Sequence, residues 1–160
     1  MKRLMLMVSV LLTAILLAQG VSAAGLPVAA DLQTDGQLAQ KERLPLLVFF
    51  SAQSCHYCEV MRSLYLGPMY ISGDYAGKVI MREVQVESGR SLRDFKGDKI
   101  SQVDFARRYG ISLTPQIMFM DSEGKQLVPA LVGLSTPDFF GGYLDESIDA
   151  ALAGMRAKHP

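Results

Sequence analysis

The two cysteines of this 160-residue chain, Cys55 and Cys58, are separated by two residues. Thiols at this spacing can close a reversible disulfide within one helical turn, and they can also provide two ligands of a metal ion. A purely structural disulfide is a third use, although such a short loop constrains the unfolded chain little. The spacing alone leaves a redox centre, a metal site and a structural disulfide open.

The sequence around the pair favours the redox interpretation. An apolar, β-favourable run at 46–50 precedes it, and helical spacing follows it at 58–66. The first turn of a helix offers unpaired backbone N–H groups and the positive end of the helix dipole, which stabilise a thiolate at Cys55. A protonated His56 would act in the same direction, so we assign it a role in tuning the thiol pKa. We expect Cys58 to be more buried and to resolve a mixed disulfide formed at Cys55.

The number of possible ligands argues against a metal centre. A structural zinc site takes about four ligands, whereas this chain offers two thiols, His56 and the C-terminal His159. Covalent haem attachment requires a histidine directly after the second cysteine, and Glu59 occupies that position. We therefore predict no bound metal and no cofactor. A copper-binding or copper-delivery module that uses the same cysteines is kept as the alternative.

The first 23 residues have the pattern of a secretory signal peptide. Lys2 and Arg3 precede an uncharged, largely apolar run at 4–18, and small residues follow up to Ala23. The run is shorter than the roughly 20 residues needed to span a bilayer. We predict cleavage after Ala23, a periplasmic location, no stable membrane anchor after cleavage, and a single domain over 24–160.

The charge balance argues against nucleic acid or anionic lipid as the main partner. The chain has 16 basic and 16 acidic residues, and the predicted signal contains two of the basic ones and none of the acidic ones. The mature domain is therefore slightly negative, which gives no reason to expect nucleic acid or anionic lipid as a partner.

Hydrophobic periodicity and turn residues predict an α/β fold in which a mixed sheet has helices on both faces. Parallel crossover units in the first half and an antiparallel hairpin in the second predict this arrangement. The polar run at 87–99 is predicted to be a surface loop. The predicted elements are helix 28–41, strand 46–50, helix 58–66 kinked or ended by Pro68, strand 78–86, helix 101–109 with Ser101 as N-cap, strands 116–120 and 125–132, and helix 136–155.

A strand, the cysteine pair and a helix, followed much later by Thr114-Pro115 directly before a strand, resemble the thioredoxin-like superfamily. The resemblance extends from about Leu44 to Leu152 and includes the glycine pattern of LTPQIMFMDSEGKQL and LVGL. It implies a four-stranded mixed sheet flanked by helices on both faces and a cis peptide bond before Pro115. It also implies that a partner's backbone is held by Thr114, Pro115, Val132, Gly133 and Leu134.

The activity that this resemblance implies is thiol-disulfide exchange with proteins. Cys55 would attack, or be attacked, at a partner disulfide, and Cys58 would resolve the mixed disulfide, while Ser54 and Tyr57 would contact the partner. The expected partners are periplasmic protein thiols and disulfides, together with a membrane thiol-electron carrier. An exported chain with a long loop at 87–99 is most similar to periplasmic thioredoxins associated with sulfur oxidation, of the SoxW or SoxS kind, which favours a reductase.

The sequence departs from the family pattern at two positions. Ser54 stands where many members have tryptophan, and the chain contains no tryptophan. Phe49, six residues before the first cysteine, stands where thioredoxin has a buried acidic residue that assists proton transfer at the second thiol. The proton acceptor for Cys58 is therefore water, Glu59 or a group that the sequence does not identify.

Overall fold

The computed structural model describes residues 25–134 and 136–158, with the side chain of residue 158 left out. The predicted signal peptide and His159 lie outside the described residues. Within them, no helix is both long enough and apolar enough to cross a bilayer.

A four-stranded sheet forms the centre of the domain and confirms the predicted fold class. Its strand order is β2-β1-β5-β6; β1 and β2 are parallel, and the other neighbours are antiparallel. The elements in chain order are α1 (Leu32–Glu42), β1 (Leu46–Ser51), α2 (His56–Met61), a π-helix (Arg62–Leu66), α3 (Gly67–Ser72), β2 (Ile80–Gln85), β3 (Ser91–Arg93), β4 (Lys99–Ser101), α4 (Gln102–Arg108), β5 (Gln116–Met120), β6 (Leu131–Val132) and α5 (Pro137–Lys158).

Helices cover both faces of the sheet, as predicted. All six residues of β1 are buried, because alternate side chains enter cores on opposite faces. On one face Leu47 and Phe49 share a core with α2, the π-helix and α5. On the other face Val48 and Phe50 share a core with α1 and α4. The continuous apolar run in the sequence is thus explained by burial on two sides.

Two predicted segments differ from the structure. The polar run at 87–99 contains β3 and the start of β4, which pair as a two-stranded antiparallel ribbon. The predicted strand 125–132 is reduced to Leu131–Val132, with one isolated bridge between Gln126 and Met120. Pro129 lies between these paired positions and has no N–H to donate to a ladder.

Pro68 does not end the helix that follows the cysteines. The π-helix precedes it, and the N–H of Gly67 donates to the carbonyl of Arg62, five residues back. Pro68 then falls in the first turn of α3, where its missing N–H is least costly. A helical run therefore continues from His56 to Ser72.

A close approach between Gly36 of α1 and the β5–β6 connection fixes the position of that helix. A Cβ atom on Gly36 would lie 2.4 Å from the carbonyl oxygen of Ser122. We expect Gly36→Ala to destabilise the protein by about 1–3 kcal/mol through overpacking, although alanine is the better helix former by about 1 kcal/mol. Urea unfolding measures the change.

The matched control is Gly141→Ala in α5, because a Cβ atom there would meet nothing within 4 Å. This variant is expected to stabilise the protein by about 0.5–1 kcal/mol through helix propensity alone. Equal stability changes in the two variants would contradict the packing role of Gly36.

Candidate active site

The ends of all four strands of the sheet place the predicted site residues along one edge. β1 and the parallel β2 end together, with Ser51 opposite Gln85. The antiparallel β5 begins at the same edge, since Gln116 pairs with both Phe50 and Val132. The cysteine motif after β1, Thr114 and Pro115 before β5, and Gly133 after β6 therefore emerge at one edge of the sheet.

Cys55 and Cys58 form a disulfide, with their Cα atoms 5.2 Å apart. Cys55 is the N-cap of α2, and its Sγ accepts a hydrogen bond from the backbone N–H of Cys58 at 3.1 Å. Cys55 is partly exposed, whereas Cys58 is fully buried. Cys55 is therefore the more accessible residue of the pair, as predicted from the sequence for an attacking cysteine, and the attacking and resolving roles themselves stay predictions.

The residues inside and beside the motif are open to solvent. Ser54, His56 and Tyr57 are all exposed, and Tyr57 retains 58% of its accessible surface. The rings of His56 and Tyr57 are in edge contact, with centroids 5.5 Å apart. The predicted roles in partner contact and thiol tuning stay predictions at these positions.

The segments predicted to hold a partner's backbone lie together. The Thr114–Pro115 peptide bond is cis, and the N–H of Gly133 donates to the carbonyl of Pro115 at 2.8 Å. Gly133 has φ +75°, a conformation that glycine adopts without strain. Val132 is exposed, whereas Leu134 is buried in the core that contains Cys58. Leu134 therefore supports the site from beneath.

A cavity of about 470 Å³ opens beside the disulfide on the side of β2. Its wall combines the cysteine motif with charged groups from the helix and from β2. The lining residues are Ala52, Gln53, Ser54, Cys55, His56, Glu59, Arg62, Glu83 and Gln85.

Glu83, on β2, is a buried carboxylate in this wall that the sequence analysis missed. It is only 3% exposed. Its Oε1 accepts hydrogen bonds from Ser51 Oγ at 2.5 Å and from Arg62 Nη2 at 2.6 Å, and its Oε2 accepts one from Arg62 Nε at 3.2 Å. Arg62 also donates to Glu59, which is exposed. The bonds to Glu83 are the main cause that raises the pKa of Arg62, so this guanidinium stays charged.

Phe49 and Glu83 are direct partners in the parallel ladder. Phe49 is fully buried, and the guanidinium carbon of Arg62 lies 5.7 Å from the centre of its ring. A carboxylate thus lies on the strand next to the position where thioredoxin has its acidic residue. The feature of the sequence that could have indicated this carboxylate is the charged pair Arg82-Glu83 in the middle of a predicted strand. The two side chains lie on opposite faces of the sheet, and Arg82 donates to Asp35 of α1.

Metal ligands do not gather in the part of the chain that the structure describes. Among residues 25–134 and 136–158, no three or more His, Cys, Asp or Glu side chains are placed to hold one ion.

Comparisons with known proteins agree with this geometry. A family model described as a thioredoxin-like domain matches residues 32–148. The chain is similar to Fasciola hepatica thioredoxin at 18% identity and TM-score 0.52, covering 77% of this chain and 96% of that one. A poplar thioredoxin h mutant is 20% identical with TM-score 0.55, covering 84% and 89%. Mitochondrial thioredoxin 3 from Saccharomyces cerevisiae, in its oxidised form, is 17% identical with TM-score 0.51, covering 78% and 93%. At these identities the likeness shows the fold, and no curated protein sequence matches significantly.

Proposed function

Because the chain belongs to the thioredoxin-like domain family and carries its two cysteines as a disulfide, we propose that it is a periplasmic thiol-disulfide oxidoreductase that acts as a reductase. The observation that carries the proposal is the asymmetry of the pair. Cys55 is the N-cap of the helix and is partly exposed, while Cys58 is buried one turn further on. This arrangement lets a partner reach only the first sulfur.

The reaction proceeds in two exchanges. In the reduced protein, the Cys55 thiolate attacks a sulfur of the partner's disulfide, which forms a mixed disulfide and releases one partner thiolate. Cys58 then loses its proton and attacks Cys55 Sγ, which releases the second partner thiolate and closes the Cys55–Cys58 disulfide. Two electrons pass to the partner, whose thiolates take up protons.

The closed disulfide has to be reduced again before the next cycle. A membrane thiol-electron carrier would supply the two electrons through the same exchange, run in the opposite direction. The periplasmic location rests on the signal-peptide pattern of residues 1–23, and the direction rests on the likeness to sulfur-oxidation thioredoxins. Both belong to the proposal.

The reduction potential of the Cys55–Cys58 couple tests the direction. Family potentials extend from about −270 mV for a reductant to about −120 mV for a strong oxidant. We expect a value nearer the first, measured by equilibrating the mature protein with glutathione or dithiothreitol buffers and trapping free thiols. A potential near that of a strong oxidant would contradict a reductase.

Metal delivery is separated from exchange by anaerobic titration of the reduced protein with Cu(I) and Zn(II). A delivery module would bind one ion tightly through Cys55, Cys58 and His56 and would exchange disulfides poorly. We expect fast exchange and weak metal binding.

A further inference from the structure

We propose that Glu83 is a positioning residue that sets the charge beside the disulfide and makes the couple more reducing. The inference rests on the proposed exchange function, since it concerns the same two sulfurs. It arises from the cavity on the β2 side, in which Cys55 shares a wall with Glu83.

The charged groups around this cavity have an excess of negative charge. Arg62 is the cation of the wall, and Glu59 and Glu83 are its carboxylates. A third carboxylate, Glu87, accepts a hydrogen bond from the backbone N–H of Gln53 at 3.1 Å. His56, also in the wall, is the remaining titratable group. With His56 neutral, the cavity wall has two carboxylates and one guanidinium, and Glu87 adds a further negative charge bound to the backbone of the wall residue Gln53.

Arg62 donates three hydrogen bonds to two of these carboxylates. Its Nε and Nη2 donate to Glu83, and its Nη1 donates to Glu59. Each of the three guanidinium nitrogens therefore donates to a carboxylate oxygen, and these bonds hold the cation on Glu83 and Glu59. Glu83 thus affects the charge beside the cysteine pair in two ways, through its own carboxylate and by holding Arg62.

Because Glu83 is buried, its charge is screened less than that of Glu59, the other carboxylate that binds Arg62. The side chain of Glu83 is 4% exposed, whereas that of Glu59 is 67% exposed. Water and salt screen an exposed charge far more than a buried one. Removal of the Glu83 charge should therefore affect the sulfurs more than removal of the Glu59 charge.

The reaction determines whether the Glu83 charge raises or lowers the reduction potential. Reduction converts the neutral disulfide into two thiols, and the first of them ionises at Cys55. Negative charge nearby destabilises this thiolate but not the disulfide, so the equilibrium moves towards the disulfide. A couple that prefers the disulfide is the stronger reductant.

Glu83→Gln tests the proposal, with the potential and the ultraviolet absorbance of the thiolate as readouts. We expect the equilibrium constant with glutathione to move about three- to tenfold towards the reduced form, which is about 15–30 mV less negative. Thiolate absorbance should persist to lower pH. Glu59→Gln should shift the constant in the same direction by less. Arg62→Gln should shift it in the opposite direction, which a merely structural disturbance would not do.

The control is Asp149→Asn, which removes an exposed carboxylate paired with Lys78. Lys78 precedes the N-terminal end of β2, whereas the disulfide lies at the C-terminal end of the strand. It should leave the potential unchanged. If Glu83→Gln does not fold, the comparison of Arg62→Gln with Arg62→Gln/Glu83→Gln measures the same charge removal in a background without the cation. An unchanged potential in a folded Glu83 variant, or a shift towards the disulfide, would overturn the proposal. Failure of the unmodified protein to equilibrate with glutathione would instead overturn the exchange function.

Discussion

Cys55→Ser is expected to lower thiol-disulfide exchange by at least about a thousandfold, because it removes the thiol of the partly exposed cysteine, which we assign as the nucleophile. Cys58 is fully buried and cannot replace it. The measurement is the rate at which a disulfide-containing protein substrate is reduced with dithiothreitol as electron donor. Ser63→Ala, an exposed position on the same helical run, is the control and should keep the normal rate.

Cys58→Ser is the informative partner of this variant. It keeps the attacking sulfur but removes the resolving one, so mixed disulfides with partners should accumulate and appear on non-reducing gels. Turnover of Cys55→Ser at the normal rate, or mixed disulfides formed by Cys55→Ser instead of Cys58→Ser, would contradict the assigned roles.

Phe49→Asp is expected to destabilise the protein by about 4 kcal/mol or more, although it introduces the residue type that thioredoxin has at this position. The substitution removes a fully buried aromatic side chain, which alone costs about 3–5 kcal/mol when the replacement is small. It also places a second carboxylate directly opposite Glu83 in the ladder. Chemical unfolding in urea measures the loss.

Phe49→Leu separates the two causes. A leucine keeps most of the apolar volume and should cost about 1–2 kcal/mol. Adding Glu83→Gln to Phe49→Asp should recover at least about 1 kcal/mol, since a single carboxylate then remains beside Arg62. Equal stability of the aspartate and leucine variants would contradict the expected repulsion between the introduced carboxylate and Glu83.

Several elements were predictable because their signals are local. The apolar run of β1, the start of α4 at Ser101 and the start of α5 at Pro137 depend on neighbouring residues, and the structure has them within a residue or two. Ser101 accepts from the N–H of Asp104, as the capping pattern predicts. The pairing of Cys55 with Cys58 is likewise local.

Other features depended on contacts between distant segments. Glycine is unfavourable inside a helix, yet α1 needs Gly36 because the carbonyl of Ser122 lies against it. The polar run at 87–99 lacked an alternating apolar pattern, so β3 was not predicted. Asp94 organises this segment by accepting hydrogen bonds from the N–H groups of Lys96 and Asp98. Burial alone would raise the pKa of Asp94, but those bonds and Arg108 hold it below its usual value.

The chemistry of this protein is visible in its sequence: a dithiol between a buried strand and a helix, with Thr114-Pro115 before a later strand. The charges that surround the dithiol depend on how the strands pack together. Glu83 and Arg62 are 21 residues apart, and they meet because β2 pairs with β1 in a register that turns Glu83 towards the helix. A shift of one residue would turn it to the other face. Register is a property of the packed sheet, so no local pattern could reveal this pair.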